Sequence, residues 1–194
     1  MKELFREIRA AVGANLVLAL VCCGAYPLIV TVAAQGFFHD KANGSLITGA
    51  DGTVYGSSLI GQPFRGERYF HSRPSAAGAP GYDAASSGGS NLGPTSAVLH
   101  ESIRMRVTAY RTVNGLSPDT PVPADAVTAS ASGLDPHISP RNAEHQVARV
   151  ARARGLSEES VRALVSKHTR GPVWGILGDP AVNVLLLNRE LDGL

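Results

Sequence analysis

The sequence predicts an α+β protein: one N-terminal transmembrane helix followed by a small extracytoplasmic mixed α/β domain. Three observations lead there. Residues 10–38 carry no charged side chain, the residues after them alternate between β-prone runs and runs of helical period, and 194 residues suffice for one ordinary domain plus a small appendage. The expected organisation is a cytoplasmic stub over 1–9, the membrane helix over 10–38 and the outer domain over 39–194.

The uncharged segment reads "AAVGANLVLALVCCGAYPLIVTVAAQGFF". As a helix it extends about 43 Å, longer than the ~30 Å hydrocarbon core of a bilayer. A secretory signal has a shorter apolar region, roughly 7–15 residues. Val21 is larger than the small residue that a lipoprotein cleavage site carries before its cysteine, so Cys22 and Cys23 do not mark one. Lys2, Arg6 and Arg9 precede the segment and only Lys41 follows closely, which places the N-terminus in the cytoplasm and the rest outside a cell (inner) membrane. Pro27 predicts a kink, tolerable among membrane neighbours. Both cysteines fall inside the helix, so no disulfide staples the outer domain.

Asp51-Gly52 between two apolar runs predicts a hairpin within 45–60. "RYFHSRPS" (68–75) reads as a strand that Pro74 stops, and 76–96 as a long loop rich in Gly, Ala, Ser and Pro. Ser96–Val113 is helical, with Leu99, Ile103, Val107 and Tyr110 on one face. A proline-rich connection follows. A second helix has Ser139 as N-cap and Pro140 at its first position, and Gly155 ends it. A third opens at Ser157 with Glu158 and Glu159 in its first turn, where acidic groups favour the helix dipole. Its apolar face is Val161, Leu164, Val165 and His168. The last segment, "AVNVLLLNREL", is either a helix capped by Asp179-Pro180 or a buried strand.

The residues with chemical potential are few. A net charge of +2 with no basic stripe excludes nucleic acid as a partner. Gly88 and Gly93 bracket four residues and Thr95 follows, close to a phosphate-cradling loop G-x-x-x-x-G-K-[ST], but Pro94 replaces the lysine and removes an N–H donor. The favoured reading of Ser87, Gly88, Gly89, Ser90, Asn91, Leu92, Gly93, Pro94 and Thr95 is a structural or docking loop whose glycines permit positive φ or close backbone approach. The six histidines form no H-E-x-x-H and have no cysteine within reach as a fellow ligand, so no metal site is expected. Asp135 and His137 with Ser130, Ser132 or Ser139 form a notional hydrolase constellation, but the favoured role of Asp135, His137 and Ser139 is a turn and helix cap. No catalytic residue is assigned.

Four stretches carry a resemblance: "YFHSRPSA" (69–76), "SGGSNLGPTS" (87–96), "AVTASASGLDPHISPRNAEHQVARVARARGL" (126–156) and "WGILGDPAVNVLLLN" (174–188). In this order, together with the N-terminal span, they resemble the C subunit of the bacterial Kdp-type potassium-transporting P-type ATPase, over essentially the whole chain. The resemblance implies an accessory, non-catalytic subunit of an ATP-driven potassium importer. Its implied partners are a channel-like potassium-binding subunit, a P-type ATPase subunit, a small hydrophobic subunit and membrane lipid. It implies that ATP and potassium are handled by the complex, with no cofactor on this chain, and that the subunit raises the ATPase subunit's affinity for ATP. Neither the D-K-T-G of a P-type ATPase nor the T-V-G-Y-G of a potassium filter occurs here. With about nine residues inside, the effect on ATP is expected to pass through the membrane subunits, unless the outer domain binds nucleotide itself or is an anchored hydrolase.

Overall fold

The computed structural model describes residues 1–193. Its contacts divide the chain into two units, Met1–Tyr55 and Gly56–Leu194.

In the first unit, one continuous helix covers Lys2–Phe37 and has the length and apolar character to cross a membrane. It comprises α1 (Lys2–Ala19), a π-helical turn (Leu20–Ala25) and α2 (Tyr26–Phe37). The helix therefore begins eight residues before the uncharged segment and takes in the basic residues that flank it. The π turn ends two residues before Pro27, and the Tyr26 N–H reaches back to the Val21 carbonyl. Proline removes one i→i−4 bond and crowds the preceding turn, and a widened turn is one way a helix absorbs that. A short α3 (His39–Ala42) follows. Then β1 (Leu46–Thr48) and β2 (Val54–Ser57) form the expected hairpin. Its turn is held by Gly49 and Thr53, whose N–H and carbonyl meet at 2.8 Å, with Gly52 at φ 80°.

The second unit is built on α4 (Ala97–Asn114), α5 (Ala124–Val127), β3 (His137–Ile138), α6 (Pro140–Arg154), α7 (Glu158–Lys167), β4 (Thr169–Arg170), β5 (Ala181–Asn183) and α8 (Val184–Asp192). The helix ends follow local chemistry. The hydroxyls of Ser96, Ser139 and Ser157 accept the N–H groups of Leu99, Asn142 and Ser160. Gly115 and Gly155 end α4 and α6 in the left-handed conformation, which glycine enters without a Cβ clash.

β3 and β4 both pair antiparallel with β5, in the order β3-β5-β4. One face of this small sheet carries Ile138 and Val182 into a core with α6, α7 and α8. Val147, Val150, Val161, Val182 and Leu187 are fully buried there. Burying one such side chain contributes roughly 1.5–3 kcal/mol.

Two expectations are corrected. Residues 68–75 form no strand. Their backbone partners are side-chain amides from distant helices rather than a neighbouring strand: Phe70 pairs with Asn188, and His71 with Gln146. The C-terminal segment is neither a single helix capped at Asp179 nor a single strand. Ala181–Asn183 is the central strand, and Asn183 then caps α8 by accepting the Leu186 N–H at 3.1 Å. The run is apolar because β5 has a strand on each side and α8 buries Val184, Leu185 and Leu187.

Candidate functional site

A polar stripe on α6 organises the second unit. Asn142, Gln146 and Arg149 recur at helical spacing beside the apolar Ala143, Val147 and Val150, and all three are at least 95% buried. Buried polar groups persist only when satisfied. Arg149 donates to the Asn114 amide oxygen at 2.9 Å, to the carbonyls of Gly66, Glu67 and Tyr69, and to Gln146 at 2.8 Å. Gln146 in turn grips both backbone groups of His71, at 2.7 and 3.2 Å, and donates to Asn142 at 2.9 Å. The Tyr110 hydroxyl donates to the same Asn142 oxygen at 2.9 Å. Burial, reinforced by the Asp125 carboxylate, holds the Tyr110 phenol far above its ordinary pKa. Asn142, Gln146, Tyr110 and Asn114 line a cleft of about 270 Å³ together with Arg73 and Arg106. The residue pattern in the sequence held the signal, as polar side chains at i, i+4 and i+7 inside an otherwise core-facing helix. Sequence reasoning missed it.

Asp125 is the second missed residue. Its carboxylate accepts the Ser139 N–H at 2.8 Å, the Ser139 hydroxyl at 2.9 Å and the Asn142 amide at 2.9 Å. Ser139 thus caps α6 and gives its own proton to a carboxylate. Asp135 makes the expected turn, accepting the His137 N–H at 3.0 Å, and faces the His137 ring at 3.2 Å and Arg73 at 2.8 Å. Burial pushes the Asp135 carboxyl up, but the His137 hydrogen bonds and the Arg73 guanidinium outweigh it and hold it below the ordinary value. Ser130 and Ser132 face each other at 3.5 Å, and Ser132 also accepts the Leu134 N–H. The notional Ser/His/Asp set is therefore split: His137 goes with Asp135, and Ser139 with Asp125.

The glycine-rich loop lies against the 130–133 turn. Gly88 donates to the Ser132 carbonyl at 2.9 Å, and the Ser87 hydroxyl donates to it at 3.0 Å. A Cβ on Gly89 would stand 3.1 Å from the Ala131 carbonyl oxygen. Positive φ falls on Asn91 (52°), not on Gly93, which has open space around it. The glycine closest to other backbone atoms is outside the loop: at Gly133, with φ 67°, a Cβ would lie 2.6 Å from the Gly88 carbonyl oxygen and 2.7 Å from the Ala77 nitrogen. Gly93 accepts the Ser96 N–H through its carbonyl, and the His100 ring donates to the Pro94 carbonyl at 2.7 Å. Ser90, Leu92 and Thr95 are exposed along the same loop. The element before the loop is a single 3₁₀ turn, Ala84–Ser86, and not the strand that precedes a phosphate loop. No group of three or more His, Cys, Asp or Glu with metal-binding geometry occurs among the described residues.

Comparison with known proteins covers nearly the full length. Residues 8–193 match the family model described as KdpC, the K+-transporting ATPase c chain. A potassium-transporting ATPase KdpC subunit of Nitratidesulfovibrio vulgaris is 57% identical over 189 residues, covering 96% of this chain and 94% of that protein. One from Koribacter versatilis is 53% identical over 193 residues, covering 99% and 95%. One from Mycobacterium bovis is 52% identical over 189 residues, covering 97% and 99%. The chain belongs to the KdpC family, the c chain of K+-transporting ATPases.

Proposed function

We propose that this subunit of the potassium-transporting ATPase is non-catalytic, sits with its N-terminus in the cytoplasm and residues 39–194 outside, and raises the ATPase subunit's affinity for ATP without touching the nucleotide. The full-length family match carries the reading. The chemistry of the second unit supports it, since Ser139 donates its proton to Asp125 and Pro94 stands where a phosphate loop has its lysine. The partners in this reading are the channel-like, ATPase and small hydrophobic subunits. The loop 87–95, seated on the 130–133 turn, shapes the domain or docks on the channel-like subunit.

An effect on ATP from outside the membrane requires only that the subunit bind one conformation of the pump better than another. Reciprocity then gives the test. If the subunit tightens ATP binding by some factor, ATP tightens the subunit's hold on the pump by the same factor. The measurement is the ATP dependence of the complex reconstituted with and without this chain, beside the chain's dissociation constant with and without a non-hydrolysable ATP analogue. Equal ATP dependence in the two preparations sinks the proposal. Crosslinking of ATP to the isolated chain replaces it with direct nucleotide binding.

A further inference from the structure

The loop joining β4 to β5 is an apolar finger. Val173 and Leu177 pair as an isolated antiparallel bridge, with the Val173 N–H 2.8 Å from the Leu177 carbonyl. At the tip Trp174 is 86% exposed and Ile176 80% exposed. Trp174 (φ 55°) and Gly175 (φ 78°) are consecutive left-handed residues. A bulky aromatic in that region is strained, and such strain clusters at functional positions. Packing within the chain does not account for it, since the indole lies almost wholly in solvent.

At the base of the same finger is a cleft of about 260 Å³ lined by His137, Lys167, His168 and Arg170 on the sheet face opposite the core. Glu190 pairs with Lys167 at 2.7 Å and with the His168 ring, and Asp135 is matched by Arg73. Arg170 is exposed and makes no ion pair among the described residues. The cleft therefore keeps one unneutralised guanidinium beside two imidazoles.

We infer that this finger and cleft together dock on a phospholipid surface, the headgroup phosphate entering the His137/Lys167/Arg170 cleft and Trp174 and Ile176 entering the interfacial layer. The charge is complementary to a phosphate, and an arginine suits its fork of oxygens. Tryptophan concentrates at the membrane–water interface because its ring is apolar and its N–H polar. The scale also fits. Trp174 lies four positions after Arg170, a span of at most about 14 Å. An apolar face held in the interface sits roughly 5–10 Å into the headgroup–acyl boundary. The chain itself carries a helix long and apolar enough to cross a membrane, so a bilayer is tethered to this unit. The inference does not depend on any effect on ATP.

Trp174 is the chain's single tryptophan and so reports on itself. The experiment reconstitutes the full chain alone in nanodiscs of phosphatidylglycerol or phosphatidylcholine, with and without bromine on the upper acyl carbons. The expected result is blue-shifted emission and at least about a twofold loss of intensity from shallow bromine, at the depth an interfacial ring occupies. Arg170→Glu and Ile176→Glu each reduce the quenching while leaving the circular dichroism melt unchanged. Water-like emission without quenching overturns the inference. So does shielding of the indole that appears only when the other ATPase subunits are added, which makes the finger a protein-docking element. Quenching that Arg170→Glu leaves untouched overturns the headgroup cleft.

Discussion

Asn188 pairs with Phe70 as a neighbouring strand would. Its amide oxygen accepts the Phe70 N–H at 2.8 Å and its amide nitrogen donates to the Phe70 carbonyl at 2.9 Å, with both residues fully buried. Replacing it by leucine, of similar volume, leaves a buried donor and acceptor without partners, each at about 1–3 kcal/mol. Asn188→Leu is expected to destabilise by about 3 kcal/mol, lowering the thermal midpoint of the detergent-solubilised chain by roughly 6–12 °C. A midpoint within about 2 °C of wild type, less than 1 kcal/mol for a chain of this size, would show that water or relaxation replaces both bonds.

Arg149 supports the Glu67 and Tyr69 carbonyls and Gln146 from one buried guanidinium, and burial lowers its pKa from the ordinary arginine value. Lysine has a single nitrogen and cannot span those acceptors. Arg149→Lys is expected to cost about 3–5 kcal/mol, as breaking a buried charged network does. The check is denaturant unfolding of the variant, together with its yield in the assembled complex. Near-normal values for both would mean that the network is dispensable.

Two glycines should respond oppositely. Gly133→Ala forces a Cβ against the Gly88 carbonyl and the Ala77 nitrogen in a left-handed backbone, so folding and assembly should fail or fall sharply. Gly93→Ala meets open space at an ordinary φ and should stay within about 0.5 kcal/mol of wild type. Pro94→Lys should bring no ATP binding, because the Gly93 and Pro94 carbonyls point to Ser96 and His100 and no strand feeds the loop. Calorimetric titration with ATP checks the last point, and complex yield checks the first two.

Stability should fall in two stages on acidification. Burial, with the Arg149 charge, lowers the His71 pKa from its ordinary 6.5, and only the bond to Gly66 opposes it. Below pH 6.5 the unfolded chain therefore binds this proton first, so the stabilisation is complete above that pH and is lost as pH falls through the lowered folded value. His145, lowered by burial and Arg141, adds in the same direction. Asp135, held below its ordinary 3.8, keeps its contribution above that pH and loses it at more acidic values. Thermal midpoints measured from pH 8 to pH 3 should show both stages, and His71→Gln should flatten the first. A first stage unaltered in that variant would assign it elsewhere.

Orientation rests on Lys2, Arg6 and Arg9 against Lys41. A periplasm-dependent phosphatase fused to the C-terminus should be active, and a cytoplasm-dependent reporter there silent. The opposite pair of results would reverse the orientation and bring residues 39–194 within reach of ATP.

What the sequence determined by itself is what neighbouring residues decide. The uncharged span, the Asp51-Gly52 turn, the Ser139 cap, the helix opening at Ser157 and the stop at Gly155 were all legible, because i→i+4 bonding, capping and turn chemistry act over a few residues. The family was legible because long motifs keep their order along the chain. Tertiary structure alone decided that 68–75 is held without a strand partner, since the amides that hold it are Gln146, 75 residues on, and Asn188, 118 residues on. It decided that Asn183 ends a strand and begins a helix, since an apolar run buried on all sides has no period to read. It also decided that Ser139 belongs to Asp125 and that Gly133, not Gly93, bears the close approach. Each of these turns on which distant groups meet in a packed interior. A buried donor must find its acceptor wherever the fold brings one, at a separation that no local pattern records.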